Sequence, residues 1–311
     1  MKVAVIGAGK VGSAVVGKLM NLGGISQIVL VDVDMNKVEG EILDYEHTTS
    51  YDHHSGVNLL AGTYADCQDA GIIIITAGPS IKPGQTRIEL AEGNTEILRG
   101  ILAEIDRYNQ EALIIMVSNP VDVLTYGAYR LSSRPKQKII GTGTLVDSAR
   151  LMKILGKIYK IDSKKIFSFM LGEHGQTSFP AWSIANICGL SFEEFGKMEQ
   201  MEIALDKVKV EEEAKNIGIE IFHKKGYTNH GIAAGVLRLV IAIMSDEKTI
   251  LPVSVVLEGE YGISDIALSV PSIVGKNGIE KVLEFPLSDE ELRKLRYSAD
   301  FLKESIKKIS Y

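Results

Sequence analysis

Cysteine is scarce: Cys67 and Cys188 are the only two in 311 residues, far apart and outside any CxxC spacing. That argues against a disulfide framework and a cysteine-built zinc site, and no other spacing supports a metal. The expected compartment is a reducing one, the cytoplasm. Positive charge is also in deficit, with 34 Lys and Arg against 40 Asp and Glu and a net charge of -6. Nucleic acid and anionic membrane surfaces attract basic protein, so neither is an expected partner. Long apolar runs are missing as well. Ile72 to Ile75 and Leu113 to Val117 are far too short to span a bilayer. The opening MKVAVIGAG has one lysine and an apolar run that stops at glycine, unlike the longer core of an export signal. No low-complexity linker or internal repeat is visible. What remains is ordinary globular composition, 45% hydrophobic and 24% charged, at a length suited to about two domains.

The first half alternates short β-rich runs with helical stretches. Val3 to Ile6, Ile28 to Val33, Ile72 to Thr76 and Leu113 to Ser118 read as strands, and Ile139-Ile140 begins another. Val11 to Leu22 and Glu89 to Tyr108 read as helices. Continuous apolar runs fit parallel strands covered on both faces, and strand–helix alternation predicts right-handed βαβ units in a doubly wound sheet. The second half mixes a helix at Asp147 to Tyr159, strand-like pieces near Ile166 to Leu171, Ile250 to Leu257 and Ile266 to Val270, and long charged helices at about Met198 to Asn216 and Asp289 to Ile309. The expectation is an α/β chain with a cofactor domain over 1–143 and an α+β domain over 144–311.

Gly7-Ala8-Gly9-Lys10-Val11-Gly12 is a GxGxxG that follows a strand and opens a helix. Gly7 permits the tight turn, Gly9 lets backbone approach a pyrophosphate, and Gly12 lets helix and strand pack closely. Phosphates then sit at the positive end of the helix. Asp32 ends the second strand. An acidic residue there accepts hydrogen bonds from ribose hydroxyls and repels a 2′-phosphate, so the expected cofactor is NAD rather than NADP.

Three further segments carry chemistry. Val117-Ser118-Asn119-Pro120-Val121-Asp122 closes a buried strand, where ligands of open α/β sheets bind. Asp147-Ser148-Ala149-Arg150 puts an acid and a guanidinium on one helical face. Leu171-Gly172-Glu173-His174-Gly175 presents an imidazole from a glycine-flanked loop. Asp147 and Arg150 are also placed to pair with each other. His53 and His54 read as solvated or structural, and Glu211-Glu212-Glu213 as a solvated helix face.

GAGKVG, SNPVD, GTGTLVDSAR and LGEHG, in this order, resemble the L-lactate and malate dehydrogenase family, and the likeness runs to the end of the chain through Lys225-Gly226-Tyr227-Thr228. The resemblance implies a Rossmann domain followed by an α+β substrate domain, and an NAD-dependent oxidoreductase acting on the CH–OH group of L-2-hydroxy acids. It implies His174 as proton donor and acceptor, Asp147 as its partner, Arg150 as the grip on the substrate carboxylate, and Asn119 as a contact to substrate oxygen and cofactor. Arg87 follows a Gly- and Pro-rich loop that resembles the one closing over substrate in the family, and the resemblance implies that it polarises the reacting carbonyl. Lys10, Val11, Thr76, Ala77, Gly78 and Val117 join the glycines and Asp32 as cofactor contacts.

Substrate choice is expected at Ile81, Gln176 and Thr228. Lactate enzymes usually carry glutamine at the position of Ile81 and malate enzymes arginine. An apolar residue there leaves the second carboxylate of oxaloacetate unpaired, which costs several kcal/mol. Gln176 replaces the aspartate usual after LGEHG. The set also resembles the L-2-hydroxyisocaproate branch, so pyruvate and larger acids such as 2-ketoisocaproate are expected, with malate disfavoured. Met152 and Phe167 stand where activated relatives bind fructose 1,6-bisphosphate with arginine and histidine, so no activation by it is expected. The family implies a homo-oligomer, dimer or tetramer. Malate dehydrogenase is the alternative within the class. An NAD-dependent glycosidase is the alternative outside it, but it needs a Cys/His metal site, and Cys188 has no evident partner ligand.

Overall fold

Four consecutive isoleucines, Ile72 to Ile75, are each at most 1% exposed. A run without a polar position is stable only when both of its faces are covered, and the architecture follows from several such runs. The structure, a computed structural model, describes residues 1–51, 56–79, 87–201, 205–307, 309 and 311, with backbone alone at 87 and 88. The first half runs β1 (Lys2–Ile6), α1 (Lys10–Leu19), β2 (Gln27–Val31), α2 (Met35–Thr48), β3 (Asn58–Ala61), β4 (Ile72–Ile75), α3 (Arg87–Asp106), β5 (Leu113–Met116), α4 (Val121–Leu131) and β6 (Ile139–Gly141). The second runs α5 (Leu145–Tyr159), β7 (Ile166–Phe167), β8 (Met170–Leu171), β9 (Phe179–Pro180), β10 (Asn186–Ile187), α6 (Phe192–Met198), α7 (Lys207–Lys225), α8 (His230–Met244), β11 (Thr249–Glu258), β12 (Ser264–Gly275), β13 (Gly278–Val282) and α9 (Asp289–Ile306).

One sheet carries the order β13-β12-β11-β6-β5-β4-β1-β2-β3. From β6 to β3 every pairing is parallel. Alternate residues of the same strands feed opposite cores. Val3, Val5, Ile72 and Ile74 pack on one side with Val15 of α1 and Val236 of α8, while Ala4, Ile6, Ile73 and Ile75 pack on the other with Leu98 of α3 and Leu124 of α4. Burying one such side chain contributes roughly 1.5–3 kcal/mol. The chain winds outward from β1 in both directions, to β2 on one side and β4 on the other. Their carboxyl ends therefore border the crevice where an open α/β sheet binds its ligand.

The second half does not build a separate main sheet. β11 pairs antiparallel with β6 at Ser254 and Gly141, so β11 to β13 extend the first sheet. Two sequence expectations need correction. The helix expected over Met198 to Asn216 is two helices: α6 stops at Met198, and α7 starts at Lys207 and runs on to Lys225. After Met198, Gln200 takes a positive φ of 52°, and the Asp206 carboxylate caps α7 by accepting from the Lys209 N–H at 3.0 Å. The strand expected over Ile166 to Leu171 is two short strands, β7 paired with β10 and β8 with β9. No helix among the described residues is long and apolar enough to cross a membrane.

Candidate active site

Gly7 takes a φ of 108°, a conformation only glycine adopts freely, and turns the chain from β1 into α1. Its carbonyl accepts the Thr76 hydroxyl at 3.0 Å, and the Thr76 N–H donates to the Ile6 carbonyl at 2.8 Å. These bonds fasten the carboxyl ends of β1 and β4 together. A Cβ at Gly12 would stand 1.8 Å from the Gly7 carbonyl oxygen, so helix and turn meet there without room for any side chain. Gly9 differs: nothing lies within 4 Å of its absent Cβ. It is the N-cap of α1, and no side chain caps that end. An open backbone face with uncapped amides fits a pyrophosphate. Asp32 is half-buried beyond β2. Its Oδ2 accepts the Ala8 N–H at 2.6 Å and its Oδ1 the Asp34 N–H at 3.1 Å. The carboxylate therefore braces the glycine turn and keeps lone pairs for ribose hydroxyls.

Ala77 and Gly78 follow Thr76. The Ala77 carbonyl accepts the Ser118 hydroxyl at 2.6 Å, which ties β4 to β5. Val117 is buried at the end of β5, and Asn119 is exposed just beyond it. The Asn119–Pro120 peptide is cis, and the Asn119 carbonyl accepts from Asn94 Nδ2 at 2.6 Å. On the far side of the glycine turn, Asn229 Nδ2 donates to the Lys10 carbonyl at 3.4 Å, and the Lys10 ammonium lies 5.6 Å from the Tyr227 ring. This brings half-buried Thr228 and the start of α8 beside Lys10 and Val11. A groove of about 800 Å³ runs along α1 between α2 and α8. It borders Gly9 and Lys10, but none of Asp147, Arg150 and His174 lines it.

The proton-handling group comes from two elements. α5 supplies Asp147 and Arg150 one turn apart, and the loop after β8 supplies His174. Asp147 Oδ2 lies 2.5 Å from His174 Nδ1, and its Oδ1 accepts from Arg150 Nη1 at 2.6 Å. The carboxylate thus serves both cations. Burial opposes its ionisation, but His174 and Arg150 outweigh burial and hold its carboxyl below the usual range. His174 is pushed up to about 8, first by the charge on Asp147 against its own burial, with further help from their hydrogen bond and from Asp122. With Nδ1 engaged, Nε2 is the nitrogen left to exchange a proton. The loop is held firmly. Gly172 and Ser269 of β12 exchange backbone hydrogen bonds of 3.0 and 3.1 Å, the Glu173 N–H donates to Ser298 of α9 at 2.7 Å, and the His174 N–H donates to Asp122 Oδ2 at 2.7 Å.

Among the residues expected from sequence, Asp147, Arg150 and His174 meet directly. The glycines, Asp32, Thr76 and Asn119 line up along the carboxyl ends of the parallel strands. Gln176 is exposed two residues beyond His174. Ile81, His53 and His54 lie outside the described residues. Arg87 opens α3, with its side chain outside the described atoms. Two residues escaped the sequence reading. Asp122 was in plain view in SNPVD but carried no role. Gly218 of α7 gave no signal: a Cβ there would stand 3.0 Å from both terminal nitrogens of Arg150, so the guanidinium rests on bare backbone.

The family model for the lactate/malate dehydrogenase NAD binding domain matches residues 1–141, and that for the lactate/malate dehydrogenase alpha/beta C-terminal domain matches residues 144–311. The chain is 49% identical over 308 residues to L-lactate dehydrogenase 2 of Clostridium acetobutylicum, covering 98% of this chain and 96% of the relative. It is 45% identical over 307 residues to L-lactate dehydrogenase of Acetivibrio thermocellus, with the same coverage. The crystal structure of the minor L-lactate dehydrogenase from Enterococcus mundtii in the ligands-bound form superposes with a TM-score of 0.94 at 34% identity, over 99% of this chain and 98% of that one.

Proposed function

The chain belongs to the lactate/malate dehydrogenase family, and on that premise we propose that it interconverts pyruvate and L-lactate with NAD. The observation that carries this reading is the Arg150–Asp147–His174 group, in a chain that also carries an uncapped glycine turn at Gly9 fit for a pyrophosphate. Bound NADH supplies the hydride that becomes the carbinol hydrogen. The protein does the rest. Arg150 grips the substrate carboxylate through a two-pronged hydrogen bond that lysine cannot reproduce. Asn119 and Arg87 hold the keto oxygen. His174 gives that oxygen a proton from Nε2 and takes one back in the oxidative direction, while Asp147 keeps the ring oriented and favours its protonated form. Orientation of this kind lowers the barrier by several kcal/mol, about 7–11 at best.

The finer reading concerns the acid. Ile81 and Gln176 put no charge at the two sequence positions expected to choose the substrate side chain, so pyruvate and larger acids such as 2-ketoisocaproate are accepted and oxaloacetate is disfavoured. Thr228, just before α8, is the third position of this set. Phe167 offers no charge to a sugar bisphosphate: its ring packs 4.7 Å from that of Phe169. The seam between the two halves falls at 143/144. The protein works in the cytoplasm as a homo-oligomer, its two cysteines being free. A substrate panel tests the reading: NADH absorbance falls with pyruvate and 2-ketoisocaproate, and faster turnover of oxaloacetate than of either would overturn it. Light scattering gives the subunit count, and adding fructose 1,6-bisphosphate should leave the half-saturating pyruvate concentration unmoved.

A further inference from the structure

Asp122 is a carboxylate in an expensive place. It lies in the first turn of α4, three residues past Asn119, and is 2% exposed. Its Oδ2 accepts the His174 backbone N–H at 2.7 Å. Neither Asp122 Oδ1 nor the Ser254 hydroxyl of β11 has a partner in hydrogen-bonding geometry among the described residues, yet that hydroxyl is close enough to favour the ionised carboxyl. A buried acid kept only for shape is costly, because apolar side chains would fill the same space without desolvating a charge.

We propose that Asp122 is a positioning residue for His174: a second buried carboxylate that holds the histidine by its backbone and biases its ring towards the imidazolium. Asp147 does this from α5 through Nδ1, and Asp122 does it from α4 through the main chain. One short segment, Asn119 to Asp122, thus orients both the substrate oxygen and the proton donor aimed at it. Among the described residues, the groups that act most on the pair are Asp147 and Arg150 from α5, Glu173 from the histidine's own loop and the Ser254 hydroxyl of β11. Burial raises the Asp122 carboxyl to about 6, with Glu173 adding to the rise and Ser254, the His174 amide and the His174 charge opposing it. At neutral pH the residue is therefore ionised and attracts the imidazolium.

The inference rests on His174 being the proton donor, and the experiment separates the two. In Asp122→Asn the acceptor oxygen stays and the charge goes. For pyruvate reduction, kcat of the variant should fall and its high-pH limb should move down by roughly half to one unit. KM should change by less than about twofold, because Arg150 is untouched. A carboxylate that merely suits the amino end of α4 would alter the melting temperature and leave that limb in place, and an unmoved limb overturns the proposal. A wild type without keto-acid-dependent NADH oxidation would instead defeat the functional reading. Should the variant fail to fold, the wild type still decides. In protein carrying ¹⁵N-histidine, the His174 amide, identified by its loss in His174→Asn, should titrate near pH 6 as Asp122 ionises. No step there overturns the proposal.

Discussion

His174 Nδ1 lies 2.5 Å from Asp147 Oδ2, on a carboxylate 9% exposed. The contact joins an acid and a base whose pKa values have moved in opposite directions, Asp147 down and His174 up to about 8. Opposite charges at that distance stabilise both ionised forms. The pair is therefore an imidazolium–carboxylate pair at neutral pH, ready to donate from Nε2.

Direction of reaction should consequently depend on pH in opposite senses. Reduction needs the protonated ring, so its rate should hold below about pH 8 and fall as pH rises through it, approaching tenfold per unit. Oxidation needs the neutral ring and should rise through the same point. Initial rates in both directions at saturating NADH or NAD test this. Limbs that run the same way would contradict it.

Replacing Asp147 by Asn keeps shape and removes charge. His174 loses its largest source of stabilisation and Arg150 its ion-pair partner. The reductive limb should drop towards the ordinary histidine value near 6.5, and turnover near neutral pH should fall on the order of 10²–10⁴-fold. Pyruvate reduction across pH measures both effects.

Arg150→Lys preserves the positive charge and loses the fork. The lysine reaches neither both carboxylate oxygens nor the flat seat over Gly218. Charge-assisted hydrogen bonds contribute about 1.5–3 kcal/mol each, so kcat/KM for pyruvate should fall at least about tenfold. NADH binding, followed by fluorescence, should stay close to wild type.

Two glycines of one turn should respond differently. Gly9→Ala has room for its methyl group, so the fold should survive while NADH binding weakens by about tenfold or more, because the methyl occupies the phosphate approach. Gly12→Ala drives a methyl into the Gly7 carbonyl and should cost about 2 kcal/mol or more of stability. Melting temperature and NADH titration on both variants distinguish the outcomes.

The parallel half of the sheet was legible because Val3 to Ile6, Ile72 to Ile75 and Leu113 to Val117 state their burial locally. Long-range pairing was not. Nothing in Ser254 announces that it pairs with Gly141, and the join of the two halves depends on that register. Helix limits failed where charge patterning stood in for caps, as at Met198 to Asn216. In the site, spacing along α5 fixes Asp147 against Arg150, and the loop after β8 brings His174 to the same carboxylate. Asp122 and Gly218 were silent for opposite reasons. An aspartate at a helix start has an ordinary explanation, and a glycine within α7 shows its purpose only when Arg150 lies on it.

The pairing of β6 with β11 also bears on synthesis. When the ribosome has released the first half, β6 stands at an open sheet edge with unpaired amides and carbonyls. Its neighbour β11 lies over a hundred residues downstream. Exposed edges of this kind recruit strands from other chains. The nascent half must therefore wait with one flank unguarded until Ser254 arrives. Substitutions that slow or weaken that closure should show first as poor yield of folded protein, before any change in the enzyme that does fold.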